Sequence, residues 1–323
     1  MGAAMLLATT LFWGLSFPVM KALLQAQAQV LPEASSWFLT SSAVAARFGI
    51  AALLLLLWSL PTLRELTRSE VWQGFGLGVC GGVGLIFQMD GLAYTSASTS
   101  AFLTQCYCLI LPAVVAWRER RSPSPYILVA CLLVFVGVGV LAQVDWRSLR
   151  LGRGEWETLL GSLVFTGQIL WLDRPGFARN RVTHFSLVMF VTMAMLAVPV
   201  GLATMHELHD WVVVFSSERV FGFVMILVVF CTLIAFVMMN RWQPHVPVTE
   251  AGLIYGAEPV FASLFALFLP AWLSRWAALN YQNEVVTPYL IVGGGLISTA
   301  NLLVQLRLSA GGGRKGASPV MEH

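Results

Sequence analysis

Apolar residues run along this chain in long blocks, separated by short connectors that collect the charges and turn formers. Ten blocks can be marked, over 4–24, 38–60, 71–92, 97–117, 125–144, 156–173, 184–205, 220–240, 249–271 and 288–307. A helix needs about 20 mostly apolar residues to cross a hydrocarbon core about 30 Å thick, and each block is near that length. The pattern predicts an all-α integral membrane protein with ten transmembrane helices. No connector is long enough to hold a soluble domain. The stretch from Ser309 to His323 is Gly-rich and polar, and reads as a disordered tail.

Composition agrees with the pattern. Of 323 residues, 58% are hydrophobic and only 11% charged, where a soluble domain carries about 25% charged residues. The net charge of +3 is small, and the basic residues sit in short clusters between apolar runs, which suits a bilayer surface and not nucleic acid. Cys80, Cys106, Cys108, Cys131 and Cys231 all lie in apolar blocks with no metal-type or disulfide spacing, so they read as packing residues. Ala26-Gln27-Ala28 resembles a signal-peptide cleavage site, but no Lys or Arg precedes Lys21, so the first block reads as a retained helix.

Charge also orients the chain. Connectors on the N-terminal side and the tail hold twelve Lys and Arg: Arg64, Arg68, Arg118, Arg120, Arg121, Arg174, Arg179, Arg181, Arg241, Arg307, Arg314 and Lys315. The other side holds five: Arg147, Arg150, Arg153, Arg219 and Arg275. Positive residues concentrate on the cytoplasmic side, so both termini are expected in the cytoplasm and the protein in a bacterial inner (plasma) membrane.

The blocks also repeat. Leu6-Leu7, Phe12, Gly14 and Lys21 match Leu159-Leu160, Phe165, Gly167 and Arg174 at an offset of 153. Pro125-Tyr126-Ile127-Leu128-Val129 answers Pro288-Tyr289-Leu290-Ile291-Val292 at 163, and Pro112 answers Pro259 at 147. Similar offsets in the same order indicate a five-span duplication. An odd number of spans per copy makes the second copy enter from the opposite face. The copies are then inverted, a recurring transporter design with its site between the halves. The expected division is a first repeat over 1–144, a connector over 145–155, a second repeat over 156–307 and a tail over 308–323.

Several stretches resemble the drug/metabolite transporter superfamily, specifically its ten-helix EamA-type members. They are Phe12-Trp13-Gly14-Leu15-Ser16-Phe17-Pro18 with Lys21, Arg47-Phe48, Gly91-Leu92-Ala93-Tyr94-Thr95-Ser96-Ala97 leading into Ser100-Ala101-Phe102-Leu103-Thr104 and Pro112, and Glu258-Pro259-Val260-Phe261-Ala262. The resemblance implies a secondary transporter, often an exporter of amino acids, other metabolites or toxic compounds. The chain departs from it at Val164-Phe165-Thr166-Gly167-Gln168, at Leu269-Pro270-Ala271-Trp272, where an acidic residue is common, and in the long polar stretch from Arg275 to Val286.

Ionisable residues at mid-membrane depth are costly and usually face a cavity or a partner. Arg47 lies about nine residues into its block, roughly 13 Å from the outer end at 1.5 Å per residue. Glu258 lies at matching depth in the ninth block. They could pair with each other or bind a charged substrate, and Glu258 could couple transport to protons; the structural alternative is a buried ion pair or a snorkelling Arg. Trp13, Ser16, Gln105, Tyr107, Gln168, Trp171, Tyr255 and Asn301 are polar or amphipathic at similar depth, suited to a cavity or to interhelical hydrogen bonds. Asp90 and Tyr94 lie near the outer end of the third block. Pro18, Pro112 and Pro259 are candidate helix breaks, since each removes a backbone hydrogen bond. Gly74, Gly78 and Gly82, and again Gly252 and Gly256, make smooth stripes for close helix packing.

His206-Glu207-Leu208-His209 lacks the spacing of a zinc-protease motif and reads as a loop, so no metal is expected. No phosphate loop or nucleophile elbow is present, and neither cofactor nor enzymatic activity is expected. The partners implied are the lipid bilayer and a small-molecule substrate; proton coupling and a homodimer are both compatible with the chain. A membrane-embedded enzyme or lipid-handling protein, and a channel, are the alternative readings.

Overall fold

In a computed structural model the described residues are 1–95, 97–120, 122–141 and 151–312. They are helical throughout, with no strand among them: α1 Gly2–Val30, α2 Ser36–Ser59, α3 Arg68–Tyr94, α4 Ala97–Thr104, α5 Tyr107–Glu119, α6 Pro125–Leu141, α7 Arg153–Leu172, α8 Val182–Thr204, the short α9 Asp210–Val213, α10 Glu218–Ile226, α11 Ala235–Trp242, α12 Val248–Tyr255, α13 Glu258–Ala266, α14 Leu269–Ala277 and α15 Pro288–Gly312. Helix is the form that satisfies every backbone group inside one apolar segment, which lipid demands.

These helices make the ten spans. Five segments are each long and apolar enough to cross a membrane unaided: α1, α2, α3, α8 and the run from α10 through α11. The bent α12–α14 run is a sixth, and α5, α6 and α15 contribute shorter apolar helices. α7 is the tenth, and carries Arg153, Glu155 and Glu157 at its start. The connector expected at 145–155 lies outside the described residues as far as position 150. Of the expected tail, 313–323 also lies outside them, and 308–312 continues α15.

Helix ends are fixed by local chemistry. The Ser35 hydroxyl accepts from the Phe38 N–H at 3.2 Å to start α2. Thr67 and Glu70 close a reciprocal capping box on α3, at 3.2 and 2.8 Å.

Packing repeats the symmetry seen in the sequence. α3 (span 3) packs on α7 (span 6), and the counterpart pair, span 8 on span 1, is α10–α11 on α1. α1 on α13 (spans 1 and 9) answers α7 on α4 (spans 6 and 4). α2 on α8 and α6 on α15 join spans 2 with 7 and 5 with 10, pairs that exchange of the halves leaves unchanged.

Glycines set the closeness of these contacts. A Cβ on Gly74 would lie 2.4 Å from the Phe185 carbonyl, and one on Gly78 2.5 Å from Thr192 Cβ, so the stripe on α3 lets α8 approach to backbone contact. Gly91 and Gly154 do the same for α3 and α7, each Cβ position lying 2.7 Å from the other's carbonyl. A Cβ on Gly14 would lie 2.6 Å from Phe261 Cβ, where α1 crosses α13.

Four spans differ from expectation. Span 4 breaks at Gln105–Cys106, between α4 and α5, and not at Pro112, which lies inside α5. Span 9 breaks at Gly256–Ala257, so Pro259 falls in the first turn of α13, where its missing N–H costs nothing. Beyond α13 the chain bends by 57° into α14. Pro18 breaks nothing, because α1 runs through it. Span 8 widens into a π-helix over Leu227–Ile234, for which the sequence offered no signal.

Candidate functional site

The two broken spans cross at the centre of the molecule. Glu258 is the first residue of α13, directly after one break, and Gln105 sits in the other. Gln105 Nε2 donates to Glu258 Oε2 at 3.3 Å, joining the two breaks across 153 residues. Glu258 is 7% exposed, and this amide is the only hydrogen-bonding side chain that reaches it among the described residues. Gln105 Oε1 is buried without a partner.

Glu258 opens into a narrow cavity of about 60 Å³. Trp13 and Ser16 of α1, Arg47 of α2, Leu85 and Gln88 of α3, Thr104 of α4 and Tyr107 of α5 line it from the first half. Phe165, Gln168 and Ile169 of α7, Phe236 and Met239 of α11, Tyr255 of α12 and Glu258 line it from the second. Its wall is therefore built between the halves, and is aromatic with a few polar groups, the usual make-up of a small-molecule site.

Arg47 reaches this cavity from the far side of Glu258's half. It is 2% exposed, yet no carboxylate lies within 4 Å of it among the described residues. Nε donates to Thr232 Oγ1 at 2.6 Å and Nη2 to the Cys231 carbonyl at 2.8 Å. Nη1 points to Met20 Sδ at 3.6 Å, and the Phe48 ring centroid is 5.2 Å from Cζ. Thr232 and Cys231 belong to the π-helical turn of span 8. A π-helix is a wider turn that recurs at functional positions. Here it supplies a hydroxyl and a carbonyl to a guanidinium from the other half. Arg47 and Glu258 thus share a cavity without forming a pair.

Aromatic contacts stiffen the wall. The Trp13 ring lies 5.5 Å from Phe236 and 5.2 Å from Tyr255, and Trp13 Nε1 is buried with no partner. On the N-terminal side the Tyr255 hydroxyl donates to Gln243 Oε1 at 2.9 Å, and Gln243 Nε2 donates to the Ile169 carbonyl at 2.9 Å. On the other side Gln88 Nε2 donates to Thr104 Oγ1 at 2.9 Å. Beyond it Arg153 bridges the halves, bonding Asp90 at 2.6 Å, Glu157 at 2.7 Å and the Tyr94 hydroxyl at 2.7 Å. Asp90 and Tyr94 therefore belong to a bridge outside the cavity.

Of the candidates read from the sequence, Trp13, Ser16, Arg47, Tyr107, Gln168, Tyr255 and Glu258 come together in the cavity wall, with Gln105 behind Glu258. Two stand apart. Trp171 is one turn below Gln168, donates to the Gln73 carbonyl at 3.2 Å and stacks under Arg174 at 3.7 Å. Asn301 bonds its own helix at Ile297, on α15, which packs against α6. Sequence reasoning missed Gln88, Thr104, Phe165, Phe236 and Met239. The spacing of Phe165, Gln168 and Ile169 on one helical face could have drawn in Phe165. The Arg47 partners 184 and 185 residues away carry no local signal.

His206-Glu207-Leu208-His209 lies between α8 and α9. The Asp210 carboxylate accepts from the N–H groups of His206 and Glu207, at 3.1 and 3.0 Å. Among the described residues no group of three or more His, Cys, Asp or Glu could hold a metal, and all five cysteines are free.

Residues 1–143 match the EamA-like transporter family. An uncharacterized transporter of Archaeoglobus fulgidus is 27% identical over 304 residues, which cover 92% of this chain and 83% of that protein. A solved crystal structure of a protein 15% identical superposes with a TM-score of 0.64, over 93% of this chain and 98% of its own. At that identity the likeness speaks to the fold.

Proposed function

We propose that this chain is a secondary transporter for a small amphipathic metabolite bearing both a cationic and an anionic group, an amino acid or a close relative, a reading that starts from the match of residues 1–143 to the EamA-like transporter family. The observation that carries this reading is the cavity itself. Arg47 and Glu258 line it from opposite halves, and neither neutralises the other. A buried charge without a counter-charge is costly, and a bipolar solute supplies both counter-charges at once. The aromatic wall of Trp13, Phe236, Tyr255 and Tyr107 suits the apolar part of such a solute.

The working cycle in this reading is alternating access. The repeats over 1–144 and 156–307 rock against each other, and the central site faces each side in turn. The Arg153 bridge is the contact between the halves that breaks on one of the two sides. Glu258 exchanges a proton for the solute, so import of protons drives export. The protein sits in the plasma membrane with both termini in the cytoplasm.

Radiolabelled flux into proteoliposomes across a panel of bipolar, purely anionic and purely cationic solutes tests the proposal. Saturable movement of a bipolar solute is expected, lost in Glu258→Gln. If folded protein moves no bipolar solute, or moves singly charged ones as well, the reading is wrong.

A further inference from the structure

A second cavity lies at the membrane boundary, on the face that carries most of the basic residues. It sits between the end of α2, the start of α8 and the end of α11, and has a volume of about 480 Å³. Trp58, Ser59, Pro61 and Thr62 line one side, Asn180 to His184 another, and Arg241 the third. No carboxylate is among these lining residues.

Its two guanidinium groups are not equivalent. Arg181 is held by Glu65 and by Glu70, which lies 3.1 Å from its Nε. Arg241 is exposed, and among the described residues it has no hydrogen bond and no carboxylate within 4 Å. Asp173 lines the adjoining cavity that Arg241 also borders, but forms no ion pair with it. The uncharged donors are mostly committed as well. Asn180 Nδ2 donates to Gln73 Oε1 at 2.8 Å, and Thr62 bonds the Ser59 carbonyl and His184. Among the described residues the cavity therefore presents one free, planar cation, a shape that grips phosphate through two parallel N–H···O bonds.

The rim says what carries the phosphate. Trp58 is 80% exposed at the cavity edge, with Leu57 and Leu60 exposed beside it. An exposed Trp at the end of a membrane span marks headgroup depth, and the leucines face the acyl region. Charge and apolar rim together match a molecule with an anionic head and hydrocarbon chains; free phosphate would use the cation alone. We infer that this cavity binds the headgroup of an anionic phospholipid of that leaflet, with Arg241 on the phosphate and Trp58 against the glycerol and upper chain. The inference rests on the membrane-spanning fold and not on transport.

Native mass spectrometry of the full-length protein, released from nanodiscs of equal phosphatidylglycerol and phosphatidylcholine, tests it. Wild-type protein is expected to retain phosphatidylglycerol severalfold over phosphatidylcholine. Arg241→Ala should bring the ratio close to one, and Arg241→Lys, which keeps charge but loses the fork, should fall between. Arg64→Ala, a basic residue of the same face outside the cavity, should keep the wild-type ratio. Arg241 is exposed, so its variants leave the packed helices intact. An unchanged ratio in Arg241→Ala overturns the proposal, as does an equal loss in Arg64→Ala, which would mean diffuse surface charge. Inorganic phosphate that displaces the lipid at concentrations matching the lipid's own would also overturn it, by making the site one for free phosphate.

Discussion

At the scale of the residue, the central fact is two buried charges that do not meet. Removing one partner of a buried ion pair costs about 3–5 kcal/mol because the other charge is left behind. Arg47 is different, since its partners are a hydroxyl, a carbonyl and a thioether. Arg47→Met should leave no orphaned charge, so thermal unfolding of the variant should match the wild type or rise. Its flux should fall at least about tenfold, the worth of one charge-assisted hydrogen bond at about 1.5–3 kcal/mol. A large drop in melting temperature with retained flux would show a structural role instead. Glu258→Gln keeps a polar group beside Gln105 and removes the ionisable one. Saturable flux should then be lost at every pH while the protein stays folded, which flux across a pH series beside thermal unfolding would check. The burial of Arg47 and Glu258 was legible in the sequence, because each is an isolated ionisable group within an apolar run. What holds Arg47 was not legible. Thr232 and Cys231 look like ordinary residues of an apolar span, and only the widened turn makes them ligands.

At the scale of the element, span number and order followed from hydrophobic blocks, but the breaks did not. Pro18, Pro112 and Pro259 marked backbone that lacks a donor, and that need not interrupt a helix. α1 tolerates Pro18 and α5 tolerates Pro112. The actual break in span 4, at Gln105–Cys106, contains neither Gly nor Pro, and the Gln105 side chain there donates to Glu258. The glycine stripe behaved as its spacing suggested. Gly78→Leu places a side chain where Thr192 and the Met189 carbonyl already stand, at 2.5 and 2.7 Å. Overpacking of this kind costs about 1–3 kcal/mol or more, and the variant should unfold at lower temperature. Gly49 is the control: nothing lies within 4 Å of its Cβ position, so Gly49→Ala should hold or raise the melting temperature. Equal losses in both would detach stability from the α3–α8 contact.

At the scale of the whole molecule, contacts between spans map onto each other when the halves are exchanged, as the offsets near 150 led one to expect. The site falls where that exchange brings the two broken spans together. Polar contacts lie on both sides of it: Arg153 joins the halves through Asp90, Tyr94 and Glu157 on one side, and Gln243 ties Tyr255 to Ile169 within the second half on the other. A carrier needs closures between the halves that open in turn. Arg153→Ala frees one of them, so spin labels at the outer ends of α2 and α7 should report a longer mean separation than in the wild type. An unchanged separation would mean that helix packing alone closes that end.

The central claim is one bipolar site, shared by the halves and reached from each side alternately. Solute counterflow in proteoliposomes tests it most directly. Vesicles loaded with unlabelled bipolar solute should take up labelled solute transiently above equilibrium, with a saturable rate, and should lose this in both Arg47→Met and Glu258→Gln. Uptake that rises linearly with concentration and gains nothing from internal solute would contradict the account, because a pore passes solute without returning a loaded site.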